Sequence, residues 1–349
     1  MQLFLASKDL LRMEPLNEPE LVSPDRIYRT GRAGFTAPQS IHWSPQDRAI
    51  VYSHVEWFTF EDGERLPGTS LWAYDIPSGR SYPLATHPKE YENTFFYYRS
   101  PQWSPDGKRL AFIGEGWDGE TALFVRTLRG SSPEMERGRY DQHADVDWPA
   151  WSPDGKRLAF RQGILRALTA DPVETLRVIE PGKGEVRRVL TLSTTRSRSL
   201  FSLEARGNGN RSKDGRISPR IASLAWSPDG KRLVFTLTPA PLDPKQYSVW
   251  VLEYGKDASL RRVSPKEDGC GYLAPIWINA HTIGALRIAK EGFIAVALSL
   301  KGLPPRALCH VPSDDLDWSP DRKYIVCATA PPKGKPAAST TLRVIPTGM

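Results

Sequence analysis

A five-residue turn, Trp-Ser-Pro-Asp-Gly, recurs along the chain and leaves few folds open to it. Three copies are nearly identical: WSPDGKRLAF from Trp103, WSPDGKRLAF from Trp151 and WSPDGKRLVF from Trp226. Two are degraded, WSPQDRAIVY from Trp43 and WSPDRKYIVC from Trp318, and a sixth is faint, WINAHTIGAL from Trp277. Successive tryptophans lie 60, 48, 75, 51 and 41 residues apart. A blade of four short strands in a β-propeller needs about that length.

Each copy reads as a hairpin. The Trp ends one strand, Pro fixes φ at the first corner of a type I turn, and Asp suits the second. Gly takes the left-handed position that opens a G1 bulge. The next strand alternates, with Leu and Phe on one face. Asp47 and Arg322 stand at the Gly position in the degraded copies. Arg tolerates a left-handed backbone poorly, so the last turn is expected to be strained or rearranged. A third strand follows each turn: SLWAYDI at Ser70, ALFVRTL at Ala122, TLRVIEP at Thr175, SVWVLEY at Ser248, FIAVALS at Phe293 and TLRVIPT at Thr341. A fourth follows in places, as RSYPLA at Arg80 and EVRRVL at Glu185.

One small antiparallel sheet cannot bury both of its faces, so such sheets must stack and close. The expected architecture is all-β: a six-bladed β-propeller of four-stranded antiparallel blades, one domain over 1–349. Blades begin near 38, 98, 146, 221, 273 and 314. The last blade has three strands, at Trp318, KYIVCAT and TTLRVIP, and needs a fourth from residues 1–23. DLLRMEPLNEPELV resembles ETLRVIEPGKGEVRRVL, which favours Glu20–Val22 as the closing strand. Seven blades is the alternative if the N-terminal strands form one of their own. The repeat tryptophans are expected between blades, as core.

The turn, the apolar strand after it and the L-x-V strand that follows resemble the TolB-like propeller repeat, also called the WD40-like or PD40 repeat. The resemblance runs from about residue 40 to 349. It implies a propeller and says little of activity, because the same repeat occurs in TolB, in propellers of prolyl-oligopeptidase-like and tricorn-type proteases, and in some polysaccharide lyases. The sequence before the first repeat is short for a TolB N-terminal domain, and no G-x-S-x-G elbow of an α/β-hydrolase is present.

Composition narrows the classes further. Charged residues are 25% and hydrophobic residues 40%, with a net charge of +7, which permits an acidic partner without requiring one. No apolar stretch is long enough to span a membrane. The N-terminus, MQLFLASKDLLRME, lacks the basic and apolar regions of a leader. A cytoplasmic protein is expected; a periplasmic or secreted one with its leader removed would look the same. Cys270, Cys309 and Cys327 form no CxxC pair, and free thiols are expected, buried at Cys309 and Cys327.

In propellers of this resemblance, sites lie at the channel mouth, on the loops that lead into each repeat Trp. His143, Asp145 and Asp147 alternate there and would share one strand face. His310, Asp314, Asp315 and Asp317 form a second set. A divalent cation in the channel is the only cofactor these residues suggest, with His143, Asp145 and His310 as candidate ligands. Phe95, Phe96, Tyr97, Tyr98 and Arg99 put aromatic side chains on both faces of a strand, and a face left outward would suit recognition.

Two insertions break the regular spacing. His54–Gly68 carries Trp57, Phe58 and Phe60. Thr194–Arg220 holds seven basic and two acidic residues. With Phe201 as its only aromatic, the second insertion suits an acidic protein surface better than nucleic acid. The function expected is therefore a non-enzymatic scaffold that binds another protein. A metal-dependent propeller enzyme of lyase or hydrolase type is the first alternative. The second is a propeller relative of a prolyl-oligopeptidase-like peptidase without its catalytic domain.

Overall fold

The computed structural model describes residues 41–46, 48–59, 65–85, 95–116, 121–128, 134–135, 144–164, 174–181, 183, 186–192, 220–238, 244–255, 259–266, 268–289, 292–329 and 341–349. Nearly every described element is a strand; the one helical piece is a single 3₁₀ turn at Pro244–Gln246.

The first sheet holds β1 (Ile41–Trp43), β2 (Ala49–Thr59), β3 (Arg65–Asp75) and β4 (Arg80–Ala85). The second holds β5 (Phe95–Trp103), β6 (Arg109–Gly116), β7 (Thr121–Thr127) and the short β8 (Glu134–Met135). A single parallel bridge, Thr69 to Tyr97, joins these two. The third is β9 (Ala144–Trp151), β10 (Leu158–Ile164), β11 (Glu174–Ile179) and β12 (Val186–Leu192). The fourth is β13 (Arg220–Trp226), β14 (Arg232–Thr238), β15 (Ser248–Glu253) and β16 (Leu260–Arg262). The fifth is β17 (Tyr272–Asn279), β18 (Thr282–Ile288), β19 (Phe293–Ser299) and β20 (Arg306–Val311). The sixth has three described strands, β21 (Leu316–Trp318), β22 (Tyr324–Thr329) and β23 (Thr341–Pro346). Within each repeat, consecutive strands neighbour one another in the sheet, and the pairs whose register is resolved are antiparallel. The six third strands read from the sequence are β3, β7, β11, β15, β19 and β23. The expected closing strand at Glu20–Val22 lies outside the described residues.

The turn works as the repeat predicts, and one serine organises it. Ser152 N–H donates to the Arg157 carbonyl (2.8 Å), and Ser152 Oγ accepts Arg157 N–H (2.9 Å). The same hydroxyl donates to Asp154 Oδ1 (2.5 Å), which also accepts Lys156 N–H (3.1 Å). The pattern recurs at Ser104, Ser227 and Ser319. These serine hydroxyls hold the Asp106, Asp154, Asp229 and Asp321 carboxyls below the usual range. Gly107, Gly155 and Gly230 all sit at φ 66°. Arg322 adopts the same left-handed conformation, φ 65°, so the last turn keeps the repeat geometry and carries the strain of a side chain instead of rearranging.

A second irregularity recurs without any glycine to announce it. Three residues before the Trp, Ser100, Trp148, Ser223 and Ala274 all have φ between 49° and 56°. The register slips at each of these places, so the first strand of each of these sheets carries a bulge. Pro101, Pro149 and Pro275 follow three of the four left-handed residues. Proline brings no N–H to a position where the ladder is broken, so no donor is orphaned there.

The chain divides into two compact units: Met1–Gly119 with Phe124–Glu134 and Cys309–Met349, and Glu120–Leu123 with Met135–Leu308. In the first, the sixth sheet packs on the first. Ile41, Trp43, Ile50, Tyr52, Tyr74 and Val326 share one core, flanked by Trp72 and Val344. In the second, Trp226, Leu233, Phe235 and Leu237 of the fourth sheet meet Ala150, Ala159, Leu176 and Leu190 of the third. Val234, Val251, Trp277 and Ile283 continue the packing into the fifth. Each such Val, Leu, Ile or Phe side chain contributes about 1.5–3 kcal/mol by leaving water.

The turn arginine adds a clasp between neighbouring sheets. Arg157 lies 4.8 Å from the Trp226 ring and donates to the Gly230 carbonyl (3.4 Å). Arg232 repeats the contact one sheet on, 4.6 Å from Trp277, and donates to the Ala280 carbonyl (2.9 Å). The insertion at His54–Gly68 continues β2 and β3 as a ribbon, paired without a slip from Ala49 opposite Asp75 to Thr59 opposite Arg65.

Candidate functional site

The richest candidate loop leads into Trp151. Asp145 and Asp147 do share a strand face: they stand opposite Gly163 and Arg161 on β10. What meets them is an arginine. Arg161 is 4% exposed and its Nη1 donates to Asp145 Oδ2 at 3.0 Å. Its other donors form a fork on Glu174, Nε to Oε2 at 2.7 Å and Nη2 to Oε1 at 2.8 Å. Glu174 Oε2 also accepts Ile221 N–H of the next sheet (3.4 Å). Burial works against the guanidinium charge, but Glu174 and Asp145 outweigh it and raise the Arg161 pKa. Asp147 Oδ1 accepts the N–H of left-handed Trp148 (2.8 Å). Both aspartates are therefore buried and engaged internally, which corrects their placement on an open rim. His143 lies outside the described residues. Among the described residues, no group of three or more His, Cys, Asp and Glu is arranged to hold a metal ion.

Sequence reasoning missed Arg161 and Glu174. A signal existed: after the apolar triplet, the sister repeats carry Ile113 and Thr236 where this one carries arginine. A charged side chain at a core strand position demands a partner.

The aromatic run forms the start of β5, with Phe95 opposite Gly116; Phe96 lies on the same strand. Tyr98 is 2% exposed and packs edge-on to Phe112, ring centroids 5.0 Å apart. Burial pushes its phenol up to about 12. Arg99 is buried too, with Nε 2.9 Å from Glu115 Oε2. Tyr98 and Arg99 are thus core and ion pair, not anchors on an open surface: adjacent strand residues face opposite sides of the sheet, and here both are buried. Tyr97 is half-buried, and its phenol is raised by burial and by Glu115.

The second set is more open, except at Asp317, which is buried. His310 is exposed on β20. Asp314 and Asp315 are half-buried in the turn before β21, where Asp315 N–H donates to Ser313 Oγ (3.1 Å). Burial raises the Asp314 carboxyl. All three cysteines are free; Cys327 is buried, while Cys309 is only half-buried, short of the burial expected. Desolvation pushes the Cys327 thiol up to about 12.

Two residues just before repeat tryptophans form a relay. Asp317 Oδ2 accepts Trp43 N–H at 2.7 Å and lies 3.9 Å from His42 Nε2. His42 Nδ1 accepts Trp103 N–H at 3.3 Å. The acceptor role of Nδ1 assigns the imidazole proton to Nε2, facing Asp317. In the second unit the equivalent residues, Ala150 and Ala225, have no such side chains. There the carbonyls accept the next indole instead, from Trp226 (3.0 Å) and Trp277 (3.3 Å).

Burial lowers the His42 pKa below 6.5; Asp317 opposes this and Arg322 adds to it. Below pH 6.5 the unfolded chain then binds a proton that the folded chain resists, so stability must fall as pH falls. Between about pH 7 and pH 5 the denaturant midpoint is expected to drop in the native protein. His42→Asn keeps an acceptor for Trp103 N–H without titrating, so its midpoint should fall less; parallel curves would refute the assignment.

No protein-family profile matches the chain, and no curated protein does. Solved structures of similar fold exist. TolB from Acinetobacter baumannii aligns at a TM-score of 0.53 and 16% identity, over 86% of this chain and 62% of that one. A TolB-like protein from Agrobacterium tumefaciens aligns at 0.53 and 15%, over 81% and 86%. An oligogalacturonate lyase from Vibrio parahaemolyticus aligns at 0.54 and 10%, over 89% and 75%. This chain therefore spans less than two thirds of the Acinetobacter protein. At these identities the likeness is one of fold: the chain has a TolB-like propeller fold, and function must be argued from its own residues.

Proposed function

We propose that this TolB-like propeller is a non-enzymatic scaffold, a single domain closed from six blades, which binds another protein in the cytoplasm through the loops leading into its repeat tryptophans. Closure is supported by the packing of the sixth sheet on the first through Trp43 and Asp317. The scaffold reading rests on one observation. The described groups best suited to chemistry are engaged inside the protein: Asp145 with Arg161, Asp317 with Trp43 N–H, His42 with Trp103 N–H. Those left at least partly open, Tyr97, His310 and Asp314, suit recognition. The basic insertion, which lies outside the described residues up to Arg220, makes an acidic partner the better complement.

The test is in vivo cross-linking with mass spectrometry, comparing the native protein with a Tyr97→Ala/His310→Ala/Asp314→Ala variant of unchanged melting temperature. One partner enriched with the native protein and lost from the variant is the expected result. Metal analysis of the purified protein is expected to find substoichiometric divalent cation. A stoichiometric metal that disappears on replacing His143 or His310, with turnover of a polysaccharide or peptide, would overturn the proposal in favour of an enzyme.

A further inference from the structure

The second unit carries a basic surface at the turn ends of its third and fourth sheets. Tyr254 is half-buried there, with Arg157 5.1 Å and Arg187 5.4 Å from its ring. Trp226 closes on it edge-on at 5.0 Å. Tyr254 N–H donates to the Lys231 carbonyl (2.7 Å), which ties Lys231 to the same place. Lys156, Arg187 and Lys231 are exposed. Among the described residues, none of these three side chains has an ion-pair partner. The nearby carboxylates Asp154 and Asp229 are held in their turns by Ser152 and Ser227 and lie 3.8 and 3.5 Å from Arg157 and Arg232, while Glu180 pairs with Lys183 at 2.6 Å.

We infer that this surface, built on Tyr254 between Arg157 and Arg187, docks an acidic segment of a partner protein. Exposed cations without ion-pair partners, held around the packed Tyr254 ring, supply charge complementarity to carboxylates. Two features favour a peptide over nucleic acid. The Tyr254 ring is already enclosed by two guanidinium groups and an indole, so no base can stack on it, and stacking is what single-strand binders use. The patch is also interrupted by Asp154 and Asp229, which would repel a continuous phosphate backbone but leave room for spaced carboxylates. A membrane surface would face the same two carboxylates. The inference extends the scaffold reading with residues that the loop surface does not use, so either can fail alone.

The experiment is fluorescence anisotropy with the full chain and three probes: a labelled oligo-glutamate peptide, an oligothymidylate of equal length and vesicles of anionic lipid. The native protein is expected to bind the peptide, more weakly as salt rises. Arg187→Glu/Lys231→Glu, at two exposed positions, should weaken that binding at least tenfold without lowering the melting temperature. Lys323→Glu/Arg343→Glu makes the same charge change elsewhere and should leave it unaltered. Equal loss in both variants, unaltered binding in the first, or no peptide binding by the native protein would each overturn the inference. Tighter binding of the oligonucleotide or of the vesicles would do the same and would name the other class of partner.

Discussion

Arg161→Met is expected to destabilise the protein by about 3–5 kcal/mol, measured as a fall in the denaturant midpoint. The cost comes from what remains. Arg161 neutralises two buried carboxylates at once, Asp145 at 3.0 Å and Glu174 through a fork of 2.7 and 2.8 Å. Its loss strands both in a region where Arg161 is 4% exposed and Asp145 6%. Asp145→Asn should cost less, since Arg161 keeps its fork on Glu174. Replacing all three residues together, Arg161→Met with Asp145→Leu and Glu174→Leu, should recover most of the loss, because an apolar cluster of similar volume has no charge to desolvate. A single replacement no worse than an ordinary surface change would show that the network is solvated.

The second large effect is at Trp226. Trp226→Ala should cost about 3–5 kcal/mol, from the lost burial and the cavity left between two sheets. The residue is 6% exposed, donates its indole N–H to the Ala150 carbonyl and carries Arg157 on its face. Trp226→Phe keeps a ring and loses the hydrogen bond and part of the cation–π contact, for about 1–2 kcal/mol. Trp43 provides the comparison. Among the described residues its buried indole nitrogen has no acceptor, so Trp43→Phe is expected to cost less than Trp226→Phe. The reverse order would mean that the indole hydrogen bonds contribute little.

Much of the fold was legible because its signals are local. Pro, Asp and Gly act on a turn through their own backbone preferences, so the turns after Trp103, Trp151 and Trp226 could be placed from five residues each. Alternation then located the third strands. The bulges at Ser100, Trp148, Ser223 and Ala274 were not legible, because their left-handed residues are imposed by pairing with the second strand and no glycine marks them. For the same reason the insertion after His54 read only as a break in the spacing: the register alone shows that β2 and β3 run on into it.

The candidate site was legible as a set of residue types and not as an arrangement. Asp145 and Asp147 share a face, as alternation requires, but a carboxylate beside a histidine reads as a ligand only until its nearest cation is known. That cation is Arg161, from another strand, and Glu174 completes the pair from a third. The aromatic run read as two faces, one of them outward, and only packing shows that Tyr98 lies against Phe112 and Phe124. By itself the sequence determined the repeat, the turn chemistry and the strand order, all of which follow from torsional preference and period within one hairpin. The tertiary structure alone decided which charges neutralise one another and which tryptophans find an acceptor. Such partners as Trp43 and Asp317 stand 274 residues apart, and burial, which makes an unpaired charge costly, exists only once the sheets have packed.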